Sequence, residues 1–291
     1  LIPRCTEEEM YSLLTEDLAE AARLLPDTRN AEKARVTGIA AYTLLAKVYL
    51  TFGKHAEART ALDEAMKATG YGLESTTKRV FDINNKMNKE VIFALYYNKT
   101  NDNGHGYWYS ANTDVMADIR NPTPEFKAIY DESDNRLALI DTYTKIQSNL
   151  FAMTKWYDTY DATYTTQVGN DFPHLRYADI TLMYAEALAE TDLPTALTWL
   201  NKTRIRAGLD ELTSDDVKTK AEFIRELAAE RGREFALEGH RWFDLVRLGL
   251  AVEHFRNLGY TLDAHNLIFP IPQNQIEIVN NPSILWQNPG F

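Results

Sequence analysis

The chain has one cysteine, Cys5, so no disulfide can form within it and the fold must stand without covalent crosslinks. No apolar run approaches the roughly 20 residues that span a bilayer as a helix. Positive charge is scarce: 31 Lys and Arg face 42 Asp and Glu, a net of −11, with no clustered basic patch. That balance opposes nonspecific attraction to nucleic acid. The chain begins Leu1-Ile-Pro-Arg4, without a charged segment followed by an apolar one, so no targeting segment is visible. Core-forming residues are plentiful. The 291 residues are 45% hydrophobic and 25% charged, which argues against disorder and for one compact body.

The pattern is helical at both ends of the chain. From Glu7 to Leu25, Met10, Leu13, Leu14, Leu18, Ala21, Ala22 and Leu25 recur at three- and four-residue steps and stop at Pro26, which predicts an amphipathic helix. Two further runs, about Ala34–Phe52 and His55–Ala68, meet at Gly53 and predict a hairpin. Tyr42, Leu45, Ala46, Tyr49, Ala58, Leu62 and Ala65 fall at the large and small positions of a tetratricopeptide repeat. Small Ala46 and Ala58 would let the helices approach closely, and Gly53 would make the sharp turn. A degenerate second copy is predicted over Phe172–Gly208. The helix at 7–25 resembles the second half of another repeat whose first half does not precede it.

Between the copies, 71–171 reads as a long irregular insertion, which at such length is usually functional. Within it Val91–Tyr97 suits a strand or extended buried segment, followed by a polar loop over Asn98–Gly106. Helix is predicted again at about Lys220–Leu237 and His240–Asn257. Pro270, Pro272, Pro282 and Pro289 then forbid long helix, so the tail should wrap the surface as an extended strap. The fold class expected is all-α. A single domain, 1–291, would comprise repeat helices at 7–70, the insertion at 71–171, and C-terminal helices and tail at 172–291.

The common catalytic constellations are absent: no Gly-x-Ser-x-Gly, no phosphate-binding glycine loop, no His-Glu-x-x-His. Asn101-Asp-Asn-Gly104 looks like part of a calcium loop, but Lys99 and Ser110 stand where carboxylates are needed. The six histidines are scattered without zinc-ligand spacing. No metal, no cofactor and no catalytic residue is expected. Glu230 and Glu234, four apart on one helix face, invite a paired-carboxylate reading. The surrounding Arg231, Arg233, Arg241, Arg204 and Arg206 favour a structural ion-pair network instead.

Aromatic residues divide in the same way. Trp242 and Phe243, followed by Leu245, Val246 and Leu248, read as core, and Tyr177 and Tyr184 read as packing. Trp156, Tyr157, Tyr160 and Tyr164 have a spacing that favours packing. Tyr107, Trp108 and Tyr109 differ, because three consecutive aromatics cannot all face one core. With Asn101 and Asn103 beside them, they supply apolar faces for sugar C–H groups and amides for hydroxyls. These five residues are the candidate ligand site, although the same run would equally serve to anchor the insertion.

Five segments occur in order: Asp171-Phe-Pro-His-Leu-Arg-Tyr-Ala-Asp-Ile-Thr-Leu-Met-Tyr-Ala-Glu-Ala-Leu188, Leu200-Asn-Lys-Thr-Arg-Ile-Arg-Ala-Gly-Leu209, Glu230–Arg247 with its Glu-Gly-His-Arg-Trp-Phe-Asp centre, Phe269-Pro-Ile-Pro-Gln273 and Gln287-Asn-Pro-Gly-Phe291. Together they closely resemble the SusD/RagB family, and the likeness runs back through Glu90–Ala94 and Arg35–Ala41. The resemblance implies a nutrient-binding protein rather than an enzyme, lipid-anchored at the outer-membrane surface through an N-terminal region not included in this chain. It implies as partners a SusC-like TonB-dependent transporter and an oligosaccharide. A peptide ligand, or a tetratricopeptide adaptor that binds another protein, are the alternatives.

Overall fold

The computed structural model describes residues 3–26, 35–98, 110–111, 123–141, 143–147, 150–156 and 169–291. Helix α1, Glu7–Leu24, opens on a capping box: the Thr6 hydroxyl accepts from the Glu9 amide, and the Glu9 carboxylate accepts from the Thr6 amide. It lies against α2, Gly38–Thr51, with Tyr11 packed on Phe52 (4.6 Å between ring centres) and Tyr49 (6.4 Å). Its other apolar stripe, Met10, Leu13, Leu14 and Leu24, is exposed.

Helix α3, His55–Ala65, folds back on α2 through Gly53, whose φ of +68° suits glycine. Ala46, Ala58, Leu62 and Ala65 are buried where the helices meet, as the repeat spacing predicts. The second hairpin is α7, Tyr177–Leu188, with α8, Leu193–Arg206. Every residue from Ala178 to Leu188 is buried, because α7 packs on both hairpins and on the helices that follow. Tyr184 joins the two repeats: its ring lies 4.5 Å from Trp199, and its hydroxyl donates to Asp63 at 2.8 Å.

Three expectations change. The segment Phe172–Arg176, placed at the start of the second hairpin, is strand β5, antiparallel to β1, Val91–Leu95. Pro173 holds Phe172 extended, and the edge of β1 supplies partners that helix would forfeit. The insertion is not wholly irregular. It contains α4, Thr77–Val80, α5, Pro124–Lys127, α6, Leu137–Asp141, and a sheet in the order β2-β4-β3 formed by Ser110–Ala111, Leu150–Met153 and Tyr143–Gln147. The helix expected over His240–Asn257 is two helices, α10, Arg241–Arg247, and α11, Ala251–Asn257, because Gly249 turns the chain at φ +71°.

Helix α9, Lys220–Glu234, begins on a second capping box, Thr219 with Glu222. The proline-rich tail holds one short helix between Pro272 and Pro282, α12, Gln273–Val279. The rest closes on itself and on the start of α1: Gln287 exchanges bonds with Ile271 (2.8 and 2.9 Å), and Arg4 donates to Asn288 (2.7 Å) and Trp286. The molecule is mostly helical, and among the described residues no helix is long and apolar enough to cross a membrane.

Candidate functional site

The five predicted ligand residues, Asn101, Asn103, Tyr107, Trp108 and Tyr109, lie outside the described residues, as do Tyr157, Tyr160 and Tyr164. The structure shows the frame from which their segment departs. Strand β1 leads out to it, and β5 follows the end of the insertion back into the core. At the exit, the Tyr97 amide donates to Asp171 at 3.0 Å, while Lys86 pairs with the same carboxylate at 2.8 Å and donates to the Tyr97 carbonyl at 2.5 Å. Burial pushes the Asp171 carboxyl up, and Lys86 and the Tyr97 amide pull against it. Tyr96, 50% exposed, turns outward with the Lys86 ammonium 4.3 Å from its ring centre. Sequence reading missed Tyr96 as an exposed aromatic, because alternation along β1 is broken by irregular pairing near Phe93 and Ala94.

Behind this exit the frame is aromatic and then ionic. Trp156 is buried against Phe81 (5.1 Å) and Phe172 (5.5 Å), in keeping with its expected packing role. Its neighbour Lys155, also buried, donates to the Ala236 carbonyl (2.5 Å) and pairs with Glu238 (2.8 Å). Burial lowers its ammonium pKa despite Glu238. These bonds tie the far end of the insertion to the turn after α9.

The Glu230–Glu234 pair is enclosed, not set across an open cleft. Glu234 meets Arg176 and Arg206, each at 2.5 Å, and Arg136 at 3.0 Å. Burial alone would raise its carboxyl, but Arg206, Arg176 and Arg136 hold it well below the usual carboxylate range. Glu230 pairs with Arg136 (2.7 Å) and Arg233 (3.1 Å). Arg176 also reaches Glu90 and Glu238, so β5, β1 and the turn after α9 share one guanidinium. The structural reading of these carboxylates agrees with this geometry. Two of the partners were not foreseen: Arg136 and Arg176 come from the insertion and β5, distant in sequence. Arg231, expected in this cluster, belongs to a second one with Asp179 (2.9 Å) and Asp244 (2.8 Å), and Arg204 and Arg241 instead donate to backbone carbonyls.

Tyr177 and Tyr184 pack as expected. Trp242 is half-buried between Phe255 and Phe269, but Phe243, read as core, is 67% exposed. Helix α10 turns Asp244 and Leu245 inward, because Asp244 is bound by Arg231 and Arg247, and that rotation leaves Phe243 outside. Among the described residues no group of three His, Cys, Asp or Glu side chains is placed to hold a metal ion.

The SusD family model matches residues 130–291. The SusD-like protein P2 of Formosa agariphila is 27% identical over an alignment covering 100% of this chain and 66% of that protein. A SusD-like protein of Bacteroides ovatus is 25% identical, the alignment covering 84% of this chain and 51% of the relative. The chain thus spans between half and two thirds of the length of these relatives. Among solved structures, surface glycan-binding protein A of Bacteroides thetaiotaomicron in complex with laminarihexaose superposes with a TM-score of 0.75 at 19% identity, covering 98% of this chain and 72% of that one. A laminarin-binding SusD-like protein gives 0.75 at 24% identity over 100% and 74%.

Proposed function

Because the chain belongs to the SusD family, a family of binding proteins rather than enzymes, we propose that it captures a glycan at the cell surface and passes it to a SusC-like TonB-dependent transporter in the outer membrane. The observation that carries this reading is the fold shared along nearly the whole chain with proteins described as laminarin-binding and as surface glycan-binding. The frame around the insertion supports it. Its described ends are held: Asp171 and Lys86 pin the exit from β1, and Lys155 and Arg176 tie the return to the turn after α9. Tyr107, Trp108 and Tyr109 with Asn101 and Asn103 are the proposed ligand surface, offering ring faces to sugar C–H groups and amides to hydroxyls. Anchorage is by a lipid, on a region outside this chain.

Calorimetric titration with laminarihexaose, followed by arrays of other oligosaccharides and of peptides, tests the ligand class. A glycan is expected to bind, and Trp108→Ala should weaken it about tenfold or more while barely moving the melting temperature. Binding of peptides without any glycan would replace this reading with peptide capture. Copurification of a TonB-dependent transporter from outer-membrane fractions tests the partner, and its absence would remove the delivery role.

A further inference from the structure

A cleft of about 300 Å³ opens between α2, the β5 strand and α10. Lys47, His174, Glu238, His240, Phe243 and Arg247 line it. It is built around the Gly239-His-Arg-Trp-Phe-Asp244 segment, for which neither the repeat packing nor the insertion accounts. Its volume is at the lower end of small-molecule sites, which run from about 300 to 1,000 Å³, so it suits one ring rather than a chain. At its mouth stands Phe243, the large apolar side chain that α10 leaves in solvent.

The charged groups of the walls are ion-paired. Lys47 pairs with Asp179 at 2.7 Å, and Arg247 pairs with Glu186 and with Asp244 at 2.9 Å. Glu238 is taken by Lys155 and Arg176. Each wall charge already has an opposite partner, which weakens its pull on a free ion, yet an ammonium paired once keeps further N–H donors. His240 stacks on Phe235 at 4.5 Å, with Nδ1 3.5 Å from an Arg231 Nη2. Arginine cannot accept a hydrogen bond, so Nδ1 is the acceptor and the ring's proton sits on Nε2, its remaining donor. Burial, helped by Lys47 and Arg231, lowers the His240 pKa to about 4 against Asp179 and Glu238, so the ring is neutral near pH 7. His174 makes ring contacts with Phe93 and Phe172, and among the described residues no hydrogen bond engages its imidazole. The Thr51 hydroxyl donates to the Lys47 carbonyl, leaving its lone pairs as acceptors.

An array of ion-paired and neutral donors and acceptors beside an exposed aromatic face matches a neutral polyhydroxylated ring. We propose that this cleft is a second saccharide site, one hexose ring in size, in which Phe243 stacks against the ring and Lys47, His174 and His240 meet its hydroxyls. The proposal takes its ligand class from the carbohydrate reading above, but it draws on none of the residues around Trp108.

The test is NMR of histidine-labelled protein titrated separately with D-glucose, D-mannose and D-galactose, the His174 and His240 imidazole signals being assigned with His174→Ala and His240→Asn. At least one hexose is expected to shift both signals saturably. Phe243→Ala, a change at an exposed ring, should keep the fold and raise the midpoint about tenfold or more, while Phe243→Tyr restores it and Trp108→Ala leaves it in place. Immobile imidazoles, or shifts that survive Phe243→Ala, overturn the second site. If oligosaccharides still bind through Trp108 in that case, only this site has failed. If no saccharide binds by either readout, the carbohydrate reading has failed with it.

Discussion

The α2–α3 hairpin and the junction between α9, β5 and the insertion are equally enclosed but held by different forces. In the hairpin, Ala46, Ala58, Leu62 and Ala65 remove apolar surface from water. That force is non-directional and tolerates many side chains of suitable volume. At the junction, Arg136, Arg176 and Arg206 meet Glu90, Glu230, Glu234 and Glu238 in a shared network. Charges in a dry interior must find partners at defined geometry, and a planar guanidinium accepts few arrangements. Labour is divided between them: apolar faces assemble the repeats, and ion pairs set where the insertion returns to the core. Such networks add little net stability once desolvation is counted, so their role here is positional specificity.

The largest expected effect comes from Arg176→Met. It strands Glu90, Glu234 and Glu238 with too few cations and should cost about 3 to 5 kcal/mol in urea unfolding. A loss below about 1 kcal/mol would show that the junction adjusts as freely as the hairpin. Leu62→Ala should cost about 3 kcal/mol by cavity formation, with the same loss at pH 5 and pH 7. A pH-dependent loss there would blur the distinction from the other side.

The ionic region should carry the acid sensitivity. His240 has its pKa lowered to about 4 in the folded protein from 6.5, so unfolding takes up a proton between those values. Its contribution is whole above pH 6.5 and is lost as pH falls toward 4. At about 1.4 kcal/mol per pH unit, discounted for the ring's remaining contact with solvent, the loss is about 2 kcal/mol. Urea midpoints for wild type and His240→Asn should diverge in slope over that range, and parallel curves would contradict the assignment. Glu230, Glu234 and Glu238, all lowered, add a further loss that begins below the ordinary carboxylate value near 4.5 and grows as pH falls through their folded values. The smallest effect belongs to Arg4→Ala at the exposed tail. Global stability should change by no more than about 0.5 kcal/mol, while amide exchange around 284–288 quickens because the strap loses the Arg4 side-chain bonds to Trp286 and Asn288 and keeps only the Arg4 amide's bond to Ile284. Unchanged exchange would mean that the backbone bond from Arg4 to Ile284 and the Gln287 bonds to Ile271 hold the strap without the Arg4 side chain.

Local structure was legible to the extent that its causes are local. Three- and four-residue spacing located α1, α2, α3, α8 and α9, while Gly53, Gly208 and Pro26 marked turns and stops within a residue or two of the features they end. Small residues at 46 and 58 announced the close approach of two helices, and the arginine-rich surroundings of Glu230 and Glu234 announced ion pairing. The family, too, was written in ordered motifs. The proposed ligand residues around Trp108 could be named from consecutive aromatics and neighbouring amides, without any packing argument to orient them.

Tertiary structure alone decided which arginine serves which carboxylate. Arg136 and Arg176 reach Glu234 across 98 and 58 residues, and no spacing rule connects them. It likewise made Phe172–Arg176 a strand, since the edge of β1 offers the backbone partners that choose strand over helix there. It also turned Phe243 out into solvent: the amphipathic pattern of α10 permits either rotation, and Arg231 and Arg247 select the one that buries Asp244. The physical reason is common to all three. Helix periodicity, caps and turns arise within a few bonds along the chain, whereas burying a charge or pairing a strand depends on what the rest of the chain brings to that place.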